Sequence, residues 1–209
     1  MVRALGLVPR VGAYAKASEL GYLAGTDEQR ASDFNEAVRD PQVRGIFALR
    51  GGYGSMRILD RIDYCALSRD PKVILGYSDL TAALNAITGR TGLLTFHGPV
   101  AALSQFSALE TQALRAAIMR AEPLGVLQVP QARTLIPGVA SGRIAGGNLS
   151  LVAALIGTPY EIDTDGALLV LEDVDESPYR IDRMLTQLRM NGALSRAAGI
   201  IAGGWTNCG

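Results

Sequence analysis

The chain has 209 residues, with 20 basic side chains balancing 20 acidic ones and 48% hydrophobic residues. A neutral balance gives no electrostatic basis for binding nucleic acid or an anionic membrane surface, no apolar run reaches the length of a bilayer span, and a signal peptide's apolar region is lacking. One histidine and two distant cysteines, Cys65 and Cys208, do not build a zinc site; the thiols read as reduced in a cytoplasmic protein, and neither metal nor cofactor is expected.

Residues 2–11 read as the end of a helix and a short strand. Thr26 reads as the N-cap of a helix with Asp27 and Glu28 in its first turn and Ala31, Phe34, Ala37 and Val38 on one face. Residues 45–49 are a buried strand, followed by the loop Arg50-Gly51-Gly52-Tyr53-Gly54 and a helix from Ser55. Strand 73–75, helix 81–87 and strand 93–96 come next. Short apolar runs separated by helices predict a parallel sheet, whose ligands bind beyond the carboxyl ends of the strands. An amphipathic helix over 109–121 precedes a proline-bearing stretch. The expected division is therefore an N-terminal α/β domain over 1–121, a linker over 122–139 and a second domain over 140–209. In the second domain, strand 143–147 runs into Asn148 as a helix cap. Strand 167–171 leads to the acidic run Glu172-Asp173-Val174-Asp175-Glu176, Ser177 and Pro178 open a helix closed by Gly192, and strand 199–202 ends the series.

Four features could carry chemistry. In Gly76-Tyr77-Ser78-Asp79-Leu80 a strand ends at a glycine, a serine stands two residues on, and a helix follows at once. That order is the plan of a nucleophile elbow, although Leu80 stands where a second glycine is usual, and such a serine can equally be a helix cap. The glycine loop 50–54 lacks the Walker ending and the dinucleotide spacing, which leaves an oxyanion- or carboxylate-binding loop or a plain tight turn. The acidic run reads as an orienting carboxylate or as a solvated loop. His97 reads as a base near Ser78 or as a histidine that holds a loop by backbone bonds.

Taken together, Gly21–Asp27, the loop 50–54, Gly76–Thr81, Thr95–Pro99, Gly146–Ser150, Leu171–Val174 and Pro178–Leu185 resemble the serine LD-carboxypeptidases of peptidase family S66, which include the microcin C7 self-immunity proteins. The resemblance implies an α/β protein with a flavodoxin-like parallel-sheet domain and a second, β-rich α/β domain, incomplete here, and a Ser-Glu-His triad. Ser78 matches the nucleophile, Glu172 the orienting carboxylate, and the amides of Gly52 and Asp79 the oxyanion hole. Arg50 and Arg180 are candidates for the substrate carboxylate. The implied reaction releases terminal D-alanine from murein tetrapeptides during peptidoglycan recycling, in a cytoplasmic homodimer whose partner is a small muropeptide. The alternatives are cleavage of a peptidyl-nucleotide antibiotic, or a catalytically dead muropeptide-binding fragment. His97 matches a family histidine outside the triad; the family's opening strand and helix and the late loop that carries its triad histidine have no counterpart here, so the chain is expected to be cut at both ends and nearly inactive by itself.

Overall fold

The structure is a computed structural model that describes residues 1–102, 107–129 and 131–209. Helix α1 (Asp27–Arg39) begins at Thr26 with a full capping box: the Gln29 amide donates to Thr26 Oγ1 at 3.3 Å, and the Thr26 amide to Gln29 Oε1 at 2.9 Å. Strands β1 (Gly45–Phe47), β2 (Val73–Gly76) and β3 (Phe96–His97) form a parallel sheet in that order. Helix α2 (Tyr64–Arg69) lies between β1 and β2, and α3 (Thr81–Thr91) crosses from β2 to β3 and ends at Gly92 in the left-handed region. After α4 (Ala108–Met119), a second parallel sheet is built from β4 (Ile144–Asn148), β5 (Leu168–Val174) and β6 (Gly199–Thr206), with α5 (Leu149–Ala154), α6 (Pro178–Asn191) and the short α7 (Ala193–Arg196) connecting them.

One apolar core serves both sheets. Ile74, Ile87 and Leu59 from the first half pack in the same cluster as Leu149, Leu169, Leu171 and Leu188 from the second. Each fully buried leucine or isoleucine contributes about 1.5–3 kcal/mol. Across this core runs a polar seam. Thr81 and Asn85, one helical turn apart on α3, face β4. Thr81 Oγ1 accepts from the Asn148 amide at 3.0 Å; Asn85 donates to the Gly146 carbonyl at 2.8 Å and accepts from the Gly146 amide at 3.2 Å. The seam fixes the second sheet against the helix that follows Ser78.

Gly147 makes that approach possible. Its φ is +130°, and a Cβ there would lie 2.7 Å from Thr81 Oγ1 and 3.1 Å from His97 Cδ2. Gly147→Ala should therefore destabilise the fold by about 2–4 kcal/mol, through overpacking and a strained backbone. Gly89→Ala, inside α3 with nothing within 4 Å of the new methyl, should stabilise it slightly. Urea unfolding of the two variants checks the contrast; equal stabilities would contradict it.

Several local expectations change. Residues 2–11 hold a 3₁₀ turn over Val2–Leu5 closed by Gly6 at φ 80°, and no strand follows. The strand expected at 93–96 is confined to Phe96–His97, which pair with Leu75 and Gly76 of β2. The helix at Ser55 is 3₁₀ over Ser55–Arg61. Ser177 precedes α6 without a side-chain cap bond. The largest change concerns the acidic run. β5 continues to Val174 because β6 extends to Thr206 beside it, so Glu172 and Asp173 are buried strand residues and not part of a solvated loop.

Candidate active site

Ser78 has φ 60°, one of four non-glycine residues with positive φ among the described residues. For an L-residue this conformation costs on the order of 1–2 kcal/mol, and it places the serine on a sharp turn between β2 and α3. Gly76 permits the turn: a Cβ at Gly76 would lie 2.7 Å from both Cβ and Cγ of Leu80. Leu80 thus replaces the second glycine of the usual elbow by using the space that Gly76 leaves.

The loop 50–54 is pressed against this turn. A Cβ at Gly51 would be 2.9 Å from Ser78 Cβ and 3.3 Å from Ser78 Oγ. Gly52, at φ +127°, has no acceptor for its N–H among the described residues. Asp79 stands in the first helical turn, where N–H groups lack an intrahelical acceptor. Its own carboxylate is buried and accepts from the amides of Gly54 (3.2 Å) and Ser55 (2.8 Å), while the Ser55 hydroxyl donates to the Asp79 carbonyl. From the other side, Arg30 donates to the Gly54 carbonyl at 3.0 Å and pairs with Asp27. Asp27 also takes both arms of Arg57, at 2.9 and 2.8 Å, and Arg57 is the chief cause that holds its carboxyl below the usual range. The sequence singled out Asp79 for its amide; its side chain is also the clamp that fixes the glycine loop.

Glu172 reaches the same region from β5. It is buried, and its Oε2 accepts from the Tyr77 hydroxyl at 2.9 Å. Its Oε1 is buried with no hydrogen-bond partner among the described residues, and His97 Nε2 stands 3.7 Å away. Burial raises the Glu172 pKa, the Tyr77 hydrogen bond opposes that rise, and neighbouring Asp173 adds to it. Burial, reinforced by Glu172, pushes the Tyr77 phenol up to about 12. Burial lowers the His97 pKa, which favours the neutral imidazole, so its approach to Glu172 is not an ion pair at neutral pH. The His97 ring packs edge-on to Tyr77 at 5.2 Å. Asp173 points elsewhere: it accepts from Asn148 (2.8 Å) and from the amide and hydroxyl of Ser150 (3.0 and 2.8 Å), fixing the start of α5.

The elbow, the glycine loop and Glu172 are thus brought to one place. Arg50 is exposed beside Gly52. Arg180 is exposed on α6, 3.8 Å from Glu176 and bonded to Tyr179, with no polar contact to Ser78, Glu172 or the loop among the described residues. Sequence reasoning missed Tyr77 and His97 as neighbours of Glu172. The available signal was register: Gly76 pairs with His97 in adjacent parallel strands, which sets Tyr77 and His97 side by side at the sheet's carboxyl edge. Among the described residues no group of three His, Cys, Asp or Glu side chains could hold a metal, and no helix is long and apolar enough to cross a membrane.

The chain is similar to known proteins over nearly its whole length. The LD-carboxypeptidase N-terminal domain matches residues 1–98 and the LD-carboxypeptidase C-terminal domain residues 141–209. A probable murein peptide carboxypeptidase of Bacillus subtilis (strain 168) is 42% identical over 208 residues, covering 98% of this chain and 65% of that protein. The crystal structure of an MccF-like protein from Bacillus anthracis superposes with a TM-score of 0.88 at 27% identity, covering 98% of this chain and 70% of that one. A muramoyltetrapeptide carboxypeptidase from Oxalobacter formigenes superposes with a TM-score of 0.77 at 29% identity, covering 93% and 66%. The chain therefore spans about two thirds of the length of these relatives, slightly less for the first. With both family domains matched and the two-domain α/β fold in common, the chain belongs to the LD-carboxypeptidase family, peptidase S66.

Proposed function

We propose that the chain carries the nucleophile, orienting carboxylate and oxyanion donors of a serine peptidase that hydrolyses the L,D-peptide bond before the terminal D-alanine of murein tetrapeptides. The observation that carries this is Ser78 at φ 60° between β2 and α3, with the backbone of Gly51 against its side chain. Ser78 Oγ adds to the scissile carbonyl carbon, and the N–H groups of Gly52 and Asp79 receive the oxyanion. The tetrahedral adduct then expels D-alanine and leaves an acyl-enzyme that water hydrolyses. The Ser78 proton passes to an imidazole oriented by Glu172, which hands it to the departing D-alanine nitrogen; the Oε1 left unpartnered among the described residues is the oxygen open to that imidazole. Arg50, exposed beside the loop, is the candidate for the substrate carboxylate; Arg180 is a weaker one, being engaged by Tyr179 and close to Glu176.

The muropeptide partner, the cytoplasmic setting, the homodimer and the division into 1–121, 122–139 and 140–209 belong to the same proposal, supported by the family. The likeness to MccF structures, one of them in complex with aspartyl sulfamoyl adenosine, supports a second substrate class, a peptidyl-nucleotide antibiotic. Both substrates offered to the complete gene product separate the two. Release of D-alanine from the tetrapeptide at a kcat/KM well above that for the peptidyl nucleotide is the expected result, and the reverse order would assign the chain to self-immunity.

A further inference from the structure

Glu172 depends on a residue outside the triad plan. Its side chain ends in an sp³–sp² torsion, which is soft, so burial alone does not set the plane of the carboxylate. Among the described residues, the hydrogen bond of ordinary length that does so comes from the Tyr77 hydroxyl, across 95 residues of sequence and from the other sheet. We propose that Tyr77 is a positioning residue: its hydroxyl, with the ring braced edge-on by His97, locks Glu172 through Oε2 and keeps Oε1 as the free acceptor.

The placement follows from the fold. Tyr77 is extended at the end of β2 (φ −142°, ψ 160°), immediately before the strained Ser78, so the residue that fixes the carboxylate is covalently next to the nucleophile. The polar groups facing Glu172 are Tyr77 from the elbow, His97 from β3, Asp173 alongside it in β5 and Asn148 across the β4 ladder. From β6, Gly203 lies against this side chain: a Cβ there would come within 3.2 Å of Glu172 Cβ. Among the described residues Tyr77 makes the hydrogen bond of ordinary length to this carboxylate; His97 stands off at 3.7 Å, and the Asn148 side chain bonds Asp173 and the Leu151 amide. The consequence for turnover rests on the serine-peptidase proposal; the hydrogen bond does not.

Tyr77→Phe removes the hydroxyl and keeps the ring against His97. In the chain labelled with ¹³C at glutamate side chains, the Glu172 carboxyl should titrate about one pH unit higher than in the wild type, because the charged form loses its donor. In the complete gene product, kcat for D-alanine release should fall about tenfold with KM within about twofold, and the acid limb of the pH profile should move up. An unchanged Glu172 titration overturns the proposal. A shifted titration with unchanged kcat overturns the positioning role, provided that Ser78→Ala is inactive; an active Ser78→Ala defeats the peptidase mechanism instead and leaves the titration to decide whether Tyr77 locks Glu172. Should Tyr77→Phe fail to fold, Glu172→Gln gives the reciprocal reading: the phenol held at about 12 should titrate lower, and an unchanged value overturns the proposal.

Discussion

Ser78→Ala should lower kcat for D-alanine release by about 10⁴–10⁶-fold while leaving the fold intact. The loss is large because the hydroxyl is the only atom that bonds covalently to the substrate, and the oxyanion donors and bound geometry that remain account for a small residual rate. Stability should stay within about 0.5 kcal/mol of wild type, since alanine occupies the same left-handed backbone well at φ 60°. Ser78→Gly separates strain from chemistry. Glycine adopts φ 60° freely, so this variant should be as inactive as Ser78→Ala yet at least as stable as wild type. Thermal unfolding beside steady-state release of D-alanine reads both. A Ser78→Ala protein that retained a tenth of the activity would remove the nucleophile assignment.

Glu172→Gln should cost about 10³–10⁴-fold in kcat, because the amide presents no charge to the developing imidazolium and can hold it in the wrong tautomer. Its effect on stability has a definite sign. Burial holds the Glu172 pKa above its ordinary value of 4.5, so the folded state keeps a proton that the unfolded state has already lost. Wild-type stability from this group is therefore complete below 4.5 and is lost as pH rises through the raised value. Glutamine cannot ionise, so the difference between variant and wild type should grow in the variant's favour from pH 4 to neutrality, by about 1.4 kcal/mol for each pH unit that separates the folded and unfolded titrations. Urea midpoints at pH 4 and 7.5 measure it; a gap that narrows as pH rises would mean that the carboxylate is stabilised in place. On the proposed mechanism, a buried acid that weakens the fold and is needed for turnover would be the usual trade between stability and function.

Local signals in this chain were legible where a single turn decides them. Thr26 before α1, Asn148 before Leu149 and Gly192 after α6 each follow from capping chemistry within four residues. The strand-Gly-x-Ser-helix order predicted an elbow, and Ser78 has the positive φ that such a turn requires. The lateral relations were not legible. Whether Glu172 sits in a loop or a strand depends on how far β6 runs beside β5. That Tyr77 and His97 meet Glu172 depends on the seat of β4 against Thr81 and Asn85, which is set by Gly146 and Gly147 and by no local pattern. The role of the Asp79 side chain was hidden for the same reason: it binds a loop 24 and 25 residues away.

The most direct test is to trap the covalent intermediate. The complete gene product is mixed with a murein tetrapeptide, quenched in acid within a turnover, digested, and analysed by mass spectrometry. The expected result is the acyl tripeptide attached to the peptide that contains Ser78, absent in Ser78→Ala. Release of D-alanine with no adduct, or with an adduct on another residue, would contradict a serine nucleophile at the end of β2.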